Sequence, residues 1–247
     1  MPRAPLEERL KHALVPPSLY IRYRAWKERL KGEAEIALLP SLVDPSRSAV
    51  DAGANKGVYS FVLSRLCPHV HAFEPYPKML DVLRRTARRN VTVWSMALSD
   101  QAGEATFRVP RRDDGGLSNQ GGSLSREKVS GDHLALNVAT VRLDDLDLGP
   151  VGFMKIDVEG SEMQVLDGAR ATIERHRPTL LIEIEEGHSG IPLADAIGRV
   201  ESLGYDASYY DRGQRRLRPF ADYDPAALGI HGSRDYVFNF VFQPVAG

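Results

Sequence analysis

One cysteine, Cys67, stands in the 247-residue chain. That excludes an intramolecular disulfide framework and any zinc site built from several thiolates. Cys67 closes an apolar helical pattern just before Pro68, where it reads as a packing residue rather than a nucleophile. Charge of one sign is scarce too. Lys and Arg number 32 and Asp and Glu 33, a formal net charge of −1, which gives no general attraction to nucleic acid. An aromatic and basic platform for bases is also lacking. No run approaches the ~18 apolar residues of a membrane span, and the opening Met1-Pro-Arg-Ala-Pro-Leu-Glu-Glu-Arg9 is too charged for a signal peptide. A soluble, cytoplasmic protein is the default expectation. What is present, 43% apolar residues, suffices for the core of one large α/β domain with an N-terminal extension.

The glycines of a dinucleotide fingerprint are incomplete. Asp51-Ala-Gly-Ala-Asn-Lys-Gly57 follows the apolar pair Ala49-Val50 and precedes the helical pattern Val58–Leu66. That order is strand, glycine turn, helix, an arrangement that lets backbone approach a ligand and aims free N–H groups at it. Glu74 lies 21 residues after Gly53, beside Pro75 at the tip of a second short strand. An acid at that distance holds ribose hydroxyls. Only Gly53 and Gly57 are present, however, and Asp51 would repel a pyrophosphate. A carboxylate there suits a cationic ligand end, such as the amino group or sulfonium of S-adenosylmethionine.

Strands and helices alternate from Ser48 onward. Strands are expected over 48–52, 69–73, 91–98, 153–158 and 179–185, and helices over 57–66, 77–89, 162–175 and 193–203. This order argues a doubly wound, mostly parallel sheet with helices on both faces. A β-prone run, 237–242, pairs antiparallel with the sheet edge in the weakest of these readings. Between strands expected at 104–109 and 138–143 lies Arg111–Asp132, rich in glycine and serine. A polar loop of that length reads as a lid over the site or as a flexible insertion. Upstream, Leu19, Tyr23, Trp26 and Leu30 share one helical face, expected to pack on the domain. Arg22, Arg24, Lys27, Arg29 and Lys31 cover the other faces. A membrane surface or a partner for this basic amphipathic helix stays open, as does homo-oligomerisation. The domain division is thus 1–47, a helical extension, and 48–247, the ligand-binding domain.

A second dense cluster is Met154-Lys-Ile-Asp-Val-Glu-Gly-Ser-Glu162. Ligands of open parallel sheets bind beyond the carboxyl ends of the strands, so Asp51, Glu74 and Asp157 should share one edge. Gly160 permits the turn, and Ser161 or Glu162 caps the next helix. Glu183 and His188 mark the tip of the neighbouring strand.

These stretches resemble the FkbM family of S-adenosylmethionine-dependent methyltransferases. The resemblance rests on Val50–Gly57, Ala72-Phe-Glu-Pro-Tyr-Pro77, Ala97-Leu-Ser-Asp100, Lys155-Ile-Asp-Val-Glu-Gly-Ser-Glu162, Val165-Leu-Asp-Gly-Ala169 and Arg177-Pro178 followed by Glu183. It covers about 48–186 and leaves the N-terminal helix and the C-terminal fifth unmatched. It implies a class I methyltransferase fold with a seven-stranded sheet, and methyl transfer to a hydroxyl of a sugar, glycan or related natural product. It implies that Asp51, Gly53, Asn55 and Gly57 hold the methionine part, Glu74 with Pro75 the ribose, and that Ala97 and Ser99 border the adenine.

The cofactor supplies the leaving group, so the protein must position the acceptor oxygen and take its proton. Asp157 is the first choice for that contact, with Glu159, Glu183 and His188 as alternatives. Lys155 would hold a substrate anion or pair with these acids. The same oxygen-rich set can bind Mg²⁺ or Ca²⁺, but no spacing fixes a metal site and none is expected. Competing readings are a nicotinamide-dependent oxidoreductase and a non-catalytic binding module of the same fold.

Overall fold

Pro17, whose missing N–H removes nothing from a first turn, opens helix α1 (Pro17–Lys31), and Gly32 ends it. The structure is a computed structural model that describes residues 15–112, 114, 116–118, 121–129, 131–233 and 235–245. The expected extension is therefore seen from Val15 onward, and residues 1–14 lie outside the described residues. The expected docking face of α1 is overturned. Leu19, Tyr23, Trp26 and Leu30 are all exposed, while Ile21 and Ala25 turn inward. The face that packs is narrow, made of small and aliphatic residues four apart.

After two short helical turns, Ala34–Ala37 and Leu39–Leu42, the chain enters the sheet. Strand β1 (Ser48–Ala52) is buried along its whole length, as a parallel strand covered on both faces should be. Helix α2 (Val58–Leu63), β2 (Val70–Phe73), α3 (Pro77–Thr86) and β3 (Val91–Trp94) follow. The strand expected over 91–98 divides here. Its end, β4 (Ala97–Leu98), leaves the main sheet and joins β5 (Gly103–Pro110) and β6 (His133–Val141) in a second sheet of order β4-β6-β5.

Strand β7 (Val151–Ile156) returns beside β1. It stops two residues earlier than expected, so Asp157, Val158 and Glu159 belong to the turn beyond it. The expected helix over 162–175 is two pieces, α4 (Glu162–Gly168) and α5 (Arg170–His176), broken at Ala169. Just before the break, Gly168 touches the Ser99 carbonyl so closely that a Cβ would lie 2.0 Å from it. Then come β8 (Thr179–Glu183), α6 (Leu193–Glu201), the hairpin β9 (Tyr205–Asp211) and β10 (Arg216–Pro219), and β11 (Asn239–Pro244).

The main sheet has eight strands in the order β10-β9-β11-β8-β7-β1-β2-β3. Seven were expected; β10 is the addition, closing a hairpin with β9. Strand β11 does not lie at the edge. It inserts antiparallel between β8 and β9, because Phe240, Val241 and Phe242 are apolar on successive positions and are buried on both faces. Strand order reverses between β1, which leads outward to β2 and β3, and β7, which leads the other way. The crevice at the carboxyl ends of β1 and β7 is the topological switch point, where open α/β sheets bind ligands.

Candidate active site

A cavity of about 740 Å³ opens at that switch point, within the usual size of small-molecule sites. The strand ends of β1, β2, β7 and β8 form its floor. The end of α1, the loop between β5 and β6, and the segment before β11 form its walls.

One side is the glycine turn. Asp51, at 1% exposure, accepts a 2.5 Å hydrogen bond from Ser60 Oγ on α2. Burial pushes its carboxyl up to about 6, against the pull of Ser60 and Lys155. Gly53 has φ +80°, and a Cβ there would fall 1.8 Å from the Asp157 carbonyl oxygen. Only glycine allows β1 and the turn after β7 to meet so closely. Asn55, also left-handed at φ 49°, donates its N–H to Glu74 Oε2 at 2.7 Å, and the Tyr76 N–H donates to Glu74 Oε1 at 2.8 Å. Glu74 is 5% exposed. Burial lifts its carboxyl to about 7 despite these donors.

Pro75 and Ala97 line the cavity with these residues. Gly57 and Ser99 do not. Gly57, φ +87°, begins α2 and faces Leu83. Ser99 donates its hydroxyl to Asp100 and presents its carbonyl to Gly168.

The other side is crowded with charge. Lys155 is 1% exposed. Its ammonium donates to Asn239 Oδ1 at 3.0 Å, pairs with Asp157 Oδ2 at 3.5 Å and lies 5.1 Å from the centre of the Tyr59 ring. Tyr59 in turn donates its hydroxyl to Glu33 Oε2 at 2.5 Å. Burial opposes the charge on Lys155, but Asp157, Glu33, Glu183 and Asp51 outweigh it and raise its pKa. Burial likewise raises Asp157, Glu33 and Glu183, with Lys155 pulling each back. Lys155 is thus held among the protein's own acids. Asp157 keeps 25% of its side chain exposed.

Glu162 accepts hydrogen bonds from the N–H groups of Gly160 (2.9 Å) and Val158 (3.2 Å). It braces the turn rather than facing the ligand space, and burial lifts it to about 7. Glu159, forced to φ 59° in that turn, is clasped by the Gly-rich loop. Gly121 donates its N–H to Glu159 Oε1 (3.0 Å), Ser123 its hydroxyl to the Glu159 carbonyl (2.5 Å), and Lys128 pairs with Glu159 Oε2 (2.9 Å). Ser125 donates to the His188 carbonyl (2.9 Å), and the Lys128 ammonium meets His188 Nε2. His188 also lies 3.4 Å from Glu185, which Tyr236 holds by a 2.6 Å hydrogen bond. Burial lowers the His188 pKa, favouring the neutral ring. Ligand atoms of Glu159, Glu183 and His188 lie within 4.8 Å of one another, close enough to share a small cation; the Lys128 ammonium already sits against two of them.

All five acceptor-side candidates, Lys155, Asp157, Glu159, Glu183 and His188, line this one cavity. Sequence reasoning missed Glu33, Tyr59, Lys128, Tyr236 and Asn239. Asn239 left a signal, as one amide among the apolar residues of 237–242. Nothing in the local pattern singles out the others.

The model of the methyltransferase FkbM domain family matches residues 51–207. Among curated proteins the chain is similar to hexuronic acid methyltransferase AglP of Haloferax volcanii, 27% identical over 178 residues and covering 69% of each chain. It is also similar to methyltransferase sdnD of Sordaria araneosa, 27% identical over 206 residues, covering 70% of this chain and 77% of that one. Among solved structures it is similar in fold to a methyltransferase FkbM from Methylobacillus flagellatus, with a TM-score of 0.51 at 20% identity, over 93% of this chain. The chain spans 55% of the length of that protein.

Proposed function

This chain belongs to the FkbM methyltransferase family, and on that premise we propose that it is an O-methyltransferase, moving the methyl group of S-adenosylmethionine to a hydroxyl of a sugar, glycan or related natural product. Family membership removes the oxidoreductase reading. The observation that carries the hydroxyl assignment is Asp157. It stands beyond β7 at the seam of the cavity, its backbone against Gly53 and its carboxylate beside the Lys155 ammonium. The name of hexuronic acid methyltransferase AglP supports a sugar-type acceptor.

The residues fit the cofactor. The glycine turn leaves a cradle that a Cβ at Gly53 would fill, and Asp51, buried and accepting a hydrogen bond from the Ser60 hydroxyl, complements a cationic ligand end. Glu74 carries one backbone donor on each oxygen and keeps acceptor capacity for ribose hydroxyls. When bound, the cofactor supplies an electrophilic methyl group on a sulfonium. The chain then has to orient the acceptor oxygen in line and receive its proton. Burial raises the Asp157 carboxyl, making it a stronger base than a surface carboxylate, and the Lys155 ammonium beside it pulls that shift partly back. Lys128 holds Glu159 at 2.9 Å and meets His188 Nε2, a closer hold than that of Lys155 on Asp157 at 3.5 Å, which favours Asp157 over both. Lys155 acts through Asp157 as a positioning residue. The Gly-rich loop serves as the outer wall over the acceptor.

The test uses the full chain with methyl-labelled S-adenosylmethionine and a panel of hexuronic acids, neutral sugars and polyhydroxylated natural products, read by mass spectrometry. The expected product is an acceptor heavier by one methylene and stable to mild alkali. Label released by mild alkali marks a carboxylate ester and overturns the hydroxyl assignment.

A further inference from the structure

Helix α1 presents its largest side chains to solvent. Leu19, Tyr23, Trp26 and Leu30 are 56%, 58%, 57% and 61% exposed, and Val15 extends the row at 41%. At about 100° per residue, these four central positions fall within one narrow stripe. Ile21, at 1%, and Ala25, at 8%, are buried nearly opposite. A row this long is not the scattered apolar exposure of an ordinary surface.

The flanks of the stripe are basic. Arg22 and Arg29 stand on one side of it and Lys27 on the other, all exposed. Glu28, the single acid in Pro17–Lys31, lies on the buried side and is paired with Arg24 at 2.7 Å. The helix therefore carries five basic residues and one acid, in a chain whose formal net charge is −1. It is a basic island on an otherwise acidic protein. An apolar stripe containing Trp and Tyr between two basic flanks is the pattern of a helix lying in the plane of a bilayer surface. Among the described residues no helix is long and apolar enough to cross a membrane, so the helix would lie on the surface rather than span it. A second copy fits less well, since a symmetric contact would bring Arg22, Lys27 and Arg29 of both copies together.

We propose that α1 docks this protein on an anionic lipid bilayer, with Leu19, Tyr23, Trp26 and Leu30 at the level of the headgroups and Arg22, Lys27 and Arg29 against lipid phosphates. The opposite side and end of the same helix, Arg24, Glu28 and Gly32 with Glu33, wall the cavity. Docking thus holds the cavity within about one helix diameter, ~10 Å, of the surface.

The test is flotation of the full chain with vesicles of phosphatidylcholine alone or with roughly a third phosphatidylglycerol. Binding to the anionic vesicles is expected to be at least about tenfold tighter, and to weaken steeply with salt. Trp26→Ala and the pair Leu19→Ser, Leu30→Ser should each weaken it by about tenfold or more. Replacing Arg22, Lys27 and Arg29 by Gln should abolish the preference for anionic lipid. Calorimetry with S-adenosylhomocysteine, unchanged in these variants, shows that the fold survives. Equal binding to neutral vesicles, or binding indifferent to Trp26→Ala, overturns the proposal. So does failure to float, whether the protein is monomeric or forms a dimer that Trp26→Ala dissociates; the dimer would assign the stripe to a second copy.

Discussion

On the side of the cavity assigned to the cofactor, the shaping hydrogen bonds are short-range. Ser60 reaches Asp51 across nine positions, Asn55 reaches Glu74 across 19, and Tyr76 reaches Glu74 across two. On the side assigned to the acceptor they are long. Gly121 reaches Glu159 across 38 positions, Ser125 reaches His188 across 63, Lys155 reaches Asn239 across 84, and Asn239 faces Glu33 across 206. The first side is one β-turn-α-β unit, whose geometry follows from its own glycines. The second exists only once the sheet, the loop and the end of α1 are assembled. A shared cofactor can be held by a local device, whereas an acceptor pocket recruited from the whole fold can change without disturbing it. The two sides meet at Gly53 against the Asp157 carbonyl.

Asp157→Asn gives the largest contrast between them. The amide keeps the shape and loses the base, so kcat should fall by about 10²- to 10⁴-fold, with affinity for S-adenosylhomocysteine staying within the same decade. Equal losses in both would make Asp157 a cofactor contact and erase the division. Next in size is Lys155→Met. Removing the Lys155 ammonium from among Asp157, Glu33, Glu183 and Asp51 leaves buried carboxylates uncompensated, and stability should drop by about 3–5 kcal/mol in chemical denaturation. An unchanged midpoint would mean that these acids are protonated in the folded protein.

The turn side carries a smaller, pH-dependent effect. Glu74→Gln removes a charged acceptor and should weaken binding of S-adenosylhomocysteine by roughly 1.5–3 kcal/mol. In the native chain the Glu74 carboxyl is raised from 4.5 to about 7 and Asp51 from 3.8 to about 6. The ionised forms are the better acceptors for ribose hydroxyls and for a cationic ligand end. Affinity should therefore hold above pH ~7.5, fall by up to about tenfold per unit below pH ~7 as Glu74 protonates, and fall more steeply below pH ~6 as Asp51 protonates too. The free protein has the opposite sign. A carboxyl raised to about 7 contributes stability that is fully present below its unfolded value and is lost as pH rises through 7. Calorimetric titration and thermal unfolding over the same pH series check both. A flat affinity profile in the native chain, matched by Glu74→Gln, would remove Glu74 from the binding step.

This same contrast explains what could be read before folding. The glycine turn, Glu74, the β1–α2–β2 order and the strand carrying Lys155 are legible because turn chemistry and alternation are local. The packed face of α1 is not legible because its most apolar row is the exposed one; Ile21 and Ala25 are too modest a pattern to compete with Leu19, Tyr23, Trp26 and Leu30. The inner position of β11 is not legible either, because sequence order does not reveal insertion between β8 and β9. Glu33, Tyr59 and Lys128 carry no local mark, since the partners that place them in the site lie 26 to 206 positions away. Ser99 reads like part of the adenine border, yet β4 leaves the main sheet and turns it toward Gly168.

Lys128→Met should have the smallest effect and tests whether the acceptor side depends on its loop. Lys128 joins Glu159 to His188, with side chains 19% and 22% exposed in the Lys128–Glu159 pair. A partly exposed pair of this kind is worth no more than about 1 kcal/mol, and Gly121, Ser123 and Ser125 still tie the loop down. The acceptor KM should rise by about two- to fivefold while kcat and affinity for S-adenosylhomocysteine stay unchanged, in steady-state kinetics and calorimetry on one preparation. A matching fall in kcat would mean that Lys128 fixes Glu159 and His188 for the chemical step itself, and the loop would then belong to the reaction rather than to the wall around it.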